Sequence, residues 1–156
     1  MWSVECGMKY KGKDIERLIP QRKPFVMVDE FEAGEAPTTA DSLTGATCTT
    51  SLSVRKDNYF MLPDEEMSAS GLIEHIAQSA SALAGHVATQ QGAVRPPVGM
   101  IAEVKHFVCQ RRPRLHELIT TTVTMGFSFG SMTLCHGTSS IGDNTICEVD
   151  LKIFIQ

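Results

Sequence analysis

The sequence predicts an α+β fold in which one long helix is set early into a curved antiparallel sheet that wraps it. Three observations predict it. Residues Gly71 to Gly85, GLIEHIAQSASALAG, are almost wholly small and aliphatic and repeat at helical spacing. The last third of the chain is strand-like throughout, with apolar positions alternating in TICEVDLKIFIQ. A stretch rich in Thr, Ser, Leu and Val, from Thr38 to Val54, supplies a strand signal ahead of the helix.

Taken in order, Asp14 is placed to cap a short helix, DIERL, which Pro20 stops. Pro24 is followed by FVMVDEF, an apolar run of strand length. The Thr38 to Val54 strand is expected to bend or bulge at Gly45. A loop, KDNYFMLPDEEMSAS, leads into the helix, which runs out around Gln90 to Gly92 before Pro96 and Pro97. Strand character resumes in VGMIAEVKHFVC and continues through LHELITTTVTMGFSF and SMTLCHGTSSI. A Gly142-Asp143-Asn144 turn then leads to the last strand. Neighbouring strands of this kind pair antiparallel, and the whole of residues 1–156 reads as one domain.

On the helix, Leu72, Ile73, Ile76, Ala77, Ala80, Leu83, Ala84 and Val87 cover one broad half of the surface. Glu74, Gln78, Ser81 and Gly85 line a narrow stripe beside it. That stripe is too small and too uncharged for a solvated face, so another backbone is expected to approach closely there. Glu74, the single carboxylate, would then be partly desolvated and its pKa raised towards a proton-transferring range. The alternative reading is a first-turn carboxylate favoured by the helix dipole.

The composition, 42% hydrophobic and 21% charged over 156 residues, is that of a globular domain with a sizeable core. No apolar run approaches the roughly 20 residues of a membrane span, and the N-terminus lacks the apolar stretch of a signal peptide. A soluble, cytoplasmic protein is therefore expected. The five cysteines, Cys6, Cys48, Cys109, Cys135 and Cys147, are odd in number and show no C-x-x-C pairing, which points to reduced thiols. No histidine pair has the H-x-x-x-H spacing of metal ligands, so neither a metal nor an organic cofactor is implied. A formal charge of −4 disfavours nucleic-acid binding, yet Arg111, Arg112 and Arg114, with Lys105 upstream, form a local basic cluster suited to an acidic partner.

Two segments together make the order specific. IPQRKPFVMVDEF resembles the leading motif of the hot-dog-fold 3-hydroxyacyl-acyl-carrier-protein dehydratases, in which leucine, proline, histidine, arginine, any residue, proline and phenylalanine precede an apolar strand ending in aspartate. GLIEHIAQSA resembles their central helix, with a glutamate and, four residues on, a glutamine. VKHFVCQRRPRLHE is a weaker echo of the basic strand and proline-centred turn that follow. The resemblance runs from about Ile15 to the C-terminus and implies a single hot-dog domain. It implies loss of water from a 3-hydroxyacyl thioester of acyl carrier protein, in fatty-acid or polyene-type biosynthesis. In that family a histidine of the leading motif and the helix glutamate, contributed by different subunits of a dimer, face each other across an acyl tunnel.

Carried over residue by residue, Glu74 is the helix glutamate and Gln78 the glutamine, and Gln21 stands where the family has histidine. A carboxamide can orient a substrate but has no lone pair basic enough to take a carbon-bound proton. Gly71 and Leu72, at the helix N-terminus, are candidate backbone donors to the thioester oxygen. Arg111, Arg112 and Arg114 are the candidate docking site for the carrier protein. Of the histidines, His75 lies roughly 100° around the helix from Glu74 and points away from its pocket, on a stripe with Ser79, Ala82 and His86. His106 shares strand parity with Met100, Ala102 and Val104 and is expected to face inward, while His116 and His136 show no partner.

Three functions are compatible with these residues. The first is a dehydratase-like enzyme with Glu74 as its acid–base group and Gln21 positioning the substrate. The second is a non-catalytic or half-catalytic subunit whose related partner supplies the missing histidine. The third is an acyl thioesterase in which Glu74 activates water or attacks the thioester directly. An isolated protomer would leave a sheet edge exposed, so at least a homodimer with edge strands joined is expected or, under the second function, a heterodimer with a related subunit.

Overall fold

The computed structural model describes residues 7–156. Seven strands form one antiparallel sheet: β1 (Lys9–Lys11), β2 (Glu30–Ala33), β3 (Thr47–Ser53), β4 (Gly99–Cys109), β5 (Leu118–Phe129), β6 (Met132–Ile141) and β7 (Asn144–Ile155). Their order across the sheet is β1-β2-β3-β5-β6-β7-β4, so among the described residues β4 lies at an edge and pairs with β7 alone. The long helix α1 (Ala69–Gln90) falls between β3 and β4 in the chain and packs across one face, touching every strand from β2 to β7.

Alternation along the strands decides which side chains meet the helix. Ile119, Val123, Val149, Leu151, Leu52 and Phe31 point inward and close over Leu72, Ile76 and Leu83. Close approach on the helix is as the small-residue stripe requires. A Cβ at Gly85 would run into the Leu18 carbonyl oxygen, so the backbone of the leading segment crosses α1 at that glycine. The other short strand, β1, was not legible in the sequence. It is pinned by the buried Tyr10, whose hydroxyl lies 3.1 Å from His86 Nδ1 on α1.

Three expected elements change in detail. The helix near Asp14 is a single 3-10 stretch, Gly12–Arg17, preceded by Lys11 with no side-chain cap, and Asp14 lies inside it. Closure by the Leu18 N–H on the Ile15 carbonyl is the tight i to i+3 pattern suited to so short a piece. Of FVMVDEF, only the final residues enter β2, and Phe25 to Asp29 run over the helix instead. The strand expected over 38–54 begins only at Thr47. Before it the Thr38 N–H closes a loop onto Thr44, and Gly45 turns the chain with φ +89°. The aspartate that ends the apolar run, Asp29, accepts from the Ser53 N–H at 2.7 Å and from Arg55, tying that segment to β3.

No helix among the described residues is long and apolar enough to cross a membrane. Cys48, Cys109, Cys135 and Cys147 are free thiols, and Cys6 lies outside the described residues.

Candidate active site

The helix begins where Ser68 caps it, its hydroxyl accepting from the Gly71 N–H at 3.3 Å. Gly71 is needed there because a Cβ would meet Phe60 and Met67 at 2.7 and 2.8 Å. Its N–H also bonds the Ser68 carbonyl at 3.0 Å, and Leu72 is fully buried, so both candidate oxyanion donors are packed under the loop that precedes the helix.

Glu74 follows one turn in and is half-buried. Burial pushes its carboxyl above the usual carboxylate range, opposed by the nearby Gln78 amide. Among the described residues no lysine, arginine or histidine forms an ion pair with it. A desolvated carboxyl group without a cation is suited to exchanging a proton rather than holding a fixed charge.

Gln78, one turn further, is 2% exposed and spends its amide on the leading segment. Its Oε1 accepts from the Met27 N–H at 2.7 Å, and its Nε2 donates to the Phe25 carbonyl at 2.7 Å. His75, fully buried, adds a third grip: Nδ1 donates to the Met27 carbonyl at 2.6 Å. A carbonyl can only accept, so the neutral ring carries its proton on Nδ1, and Nε2 accepts from the Thr121 hydroxyl at 2.8 Å. Thr121 is in turn hydrogen-bonded to Ser139 at 2.6 Å. Burial pushes the imidazole down to about 4. His75 therefore points away from Glu74, as helical geometry predicts, and its role is to fix the leading segment.

Gln21 lies on that same segment, six residues before Met27. Its Oε1 is buried and finds no hydrogen-bond partner among the described residues, and no hydrogen bond joins it to Glu74. The segment is steadied by Arg22, which donates to the carbonyls of Ile19 and Gln21 and pairs with Glu16 at 3.0 Å.

The arginine cluster abuts the helix N-terminus and is matched there by three carboxylates. Arg111 makes a bidentate pair with Glu117 at 2.9 and 2.8 Å, Arg112 lies 2.6 Å from Asp64 and 3.0 Å from Glu66, and Arg114 lies 3.5 Å from Glu66. Asp64 and Glu66 belong to the loop that enters α1, and Met67 N–H bonds the Pro113 carbonyl, so this network braces that loop.

His106 does not face inward. Two bulges interrupt β4 against β7, one between Ile101 and Glu103 and one between Lys105 and Val108, and the second inserts a residue that takes His106 out of the inward parity of Val104. His106, with φ +54°, emerges on the outer face with Nδ1 2.9 Å from Asp150. His136 reaches the other oxygen of the same carboxylate at 2.7 Å, which gives it the partner the sequence did not show. His116 takes φ +74° in the turn before β5 and donates its backbone N–H to Val54.

Comparison with known proteins agrees with this architecture. No curated protein sequence matches the chain. Among solved structures, the dehydratase heterocomplex ApeI:P from Xenorhabdus doucetiae superposes with a TM-score of 0.75 at 15% identity, covering 91% of this chain and 90% of that one. An HP0420 homologue from Helicobacter felis gives 0.61 at 9% identity over 92% and 88%. A hypothetical thioesterase with coenzyme A from Streptococcus pneumoniae TIGR4 gives 0.59 at 8% over 81% and 88%. At such identities the likeness establishes the hot-dog fold. The sequence itself matches the family model of ApeP-like proteins, described as ApeP dehydratase, over residues 13–155, and the chain belongs to that dehydratase family.

Proposed function

We propose that this protein is a dehydratase subunit acting on 3-hydroxyacyl thioesters of acyl carrier protein, with Glu74 as its acid–base group. The observation that carries the reading is the half-buried Glu74 carboxyl, raised in pKa by burial and free of any cation among the described residues. Glu74 takes the proton beside the thioester carbonyl and supplies one to the departing hydroxyl. The C–H and C–O bonds break, a C=C bond forms and water leaves. Gln21, whose Oε1 has no partner among the described residues, orients the hydroxyl or carbonyl. Gly71 N–H shares two acceptors on Ser68, and a thioester oxygen replacing the longer, side-chain half would receive the donor. Gln78 acts through the segment it holds. Arg114, 68% exposed at its side chain, is the cluster member open to an acidic carrier, while Arg111 and Arg112 brace the loop.

A second reading, a half-catalytic partner subunit, is favoured by the unpaired β4 edge and by Gln21 in the place of an imidazole. The ApeI:P structure is described as a dehydratase heterocomplex, which supports pairing with a second kind of subunit.

The test is to incubate the pure chain with 3-hydroxyacyl- and enoyl-carrier thioesters and follow mass, beside Glu74→Ala and beside a mixture with a histidine-bearing relative. Glu74-dependent loss or gain of water by the chain alone supports the first reading, and activity restored only on mixing supports the second. Release of free thiol without water loss would mean thioester hydrolysis. Equal background turnover in every arm removes the catalytic role of Glu74.

A further inference from the structure

The outer face of the sheet, opposite α1, holds a cavity of about 520 Å³ between β4, β7, β6 and β5, remote from the Glu74 site. Its apolar wall is Phe127 and Phe129, whose rings stack with centroids 5.9 Å apart and planes 29° from parallel. By strand parity both would join Val123 and Met125 in the core. A bulge between Met125 and Ser128, where β5 pairs with β6, inserts one residue and turns both rings out, leaving them 66% and 46% exposed. Exposing two phenylalanines side by side costs the fold their burial, and a flat apolar surface is the result.

The polar wall is built around two carboxylates, each held by two donors. Lys105 and Lys152 lie 3.4 and 3.3 Å from Glu103, and His106 and His136 hold Asp150. Both ammonium groups lie on the same oxygen, Glu103 Oε1, so two cations meet one carboxylate there, and each, with three N–H donors, uses one on Glu103 and has two left for a ligand. The volume falls in the range of small-molecule sites, roughly 300–1,000 Å³.

We propose that this cavity binds a small amphipathic anion, with a planar apolar body lying on Phe127 and Phe129 and a carboxylate reaching Lys105 and Lys152. The site is separate from the proposed acyl chemistry and does not depend on it.

The experiment titrates the full chain with 2-naphthoate and, separately, with the neutral 2-naphthamide, read by ligand fluorescence and by amide chemical shifts. Expected are saturable binding of the acid at one site, with shifts confined to β4 to β7, and binding of the amide about fivefold weaker. Phe127→Ser, at an exposed position, should weaken the acid about tenfold. The double variant Lys105→Met, Lys152→Met should bind acid and amide alike, and Glu74→Gln should bind as the parent does. Absence of saturation, equal affinity for acid and amide in the unmodified chain, or loss of binding in Glu74→Gln overturns the proposal. If Phe127→Ser does not fold, the acid-against-amide comparison on the unmodified chain decides alone.

Discussion

Gln78 and Met27 are joined by a 2.7 Å hydrogen bond from the Met27 N–H to the Gln78 Oε1, so a helix side chain stands where a neighbouring strand would ordinarily pair. His75, three residues earlier on the same helix, takes the Met27 carbonyl, and both polar groups of one backbone unit are thus satisfied by α1. The segment bearing Gln21 is positioned by the helix bearing Glu74. Replacing Gln78 by Ala would leave the Met27 N–H and the Phe25 carbonyl without partners, at a cost of about 2–4 kcal/mol. Urea unfolding measures the loss, and amide exchange at Met27 should quicken well beyond that of core residues such as Val149. Unchanged exchange at Met27 would show that the clamp does not hold the segment.

His75 makes stability sensitive to mild acid. Its folded pKa, about 4, lies below the value of 6.5 that an unperturbed histidine has, so the unfolded chain binds more protons between those limits. The contribution is complete above pH 6.5 and falls as pH drops towards 4, by about 3 kcal/mol in all. His86, also lowered by burial, acts in the same direction. His75→Gln should be less stable at pH 7.5 and should lose less between pH 6.5 and 5 than the parent does. Parallel stability curves for the two would rule out His75 as the source.

Much of the fold was legible because its signals are long and local. The small-residue repeat of α1, the alternation in β7 and the Gly142-Asp143 turn each settle an element without reference to the rest of the chain. Phe25 to Asp29 misled because an apolar run reads as strand, while its partners, Gln78 and His75, lie 51 and 48 residues away. His106 misled for a different reason: counting by twos fails across a bulge, and β4 contains two. Glu74 and Gln78 could be found on the helix, but that Gln78 turns to the backbone, and that Asp64, Glu66 and Glu117 neutralise the arginines, depends on contacts made only by folding.

Glu74 should cost stability where it is ionised. Because burial raises its folded pKa above the unfolded value, its favourable contribution exists only below the ordinary carboxylate range and is lost as pH rises through the folded pKa. Glu74→Gln removes the desolvated charge while keeping the shape. The variant should melt a few degrees, roughly 1–4 °C, above the parent at pH 7.5, with the gap closing towards pH 4. A variant less stable than the parent at neutral pH would mean that the carboxylate is stabilised by a partner.

The edge strand β4 predicts self-association. It is 11 residues long, has no second neighbour among the described residues and exposes Met100, Ile101, Val104 and Val108 by 41–56%. Sheet edges of this length and apolarity pair with another strand unless charge or proline prevents it. Sedimentation should give at least a dimer, and Val104→Lys should shift it towards monomer while leaving the far-ultraviolet spectrum unchanged. A monomer at all concentrations in the unmodified chain would require the edge to be covered by a different subunit.

Gln21 offers the sharpest test of the site. An amide can hold a hydroxyl in place but cannot accept a carbon-bound proton, and a positioned acid–base group contributes about 10²–10⁴-fold to such a step. If the buried, unpartnered Oε1 of Gln21 faces the acyl site across a subunit boundary, Gln21→His restores the second group without otherwise disturbing the pocket. Dehydration of a 3-hydroxyacyl-carrier thioester should then rise at least about tenfold over the parent. The gain should vanish in Gln21→His combined with Glu74→Gln, and the bell-shaped pH profile of the single variant should acquire a limb from the new imidazole. A folded Gln21→His protein with no gain in rate would place the working site elsewhere than between these two side chains.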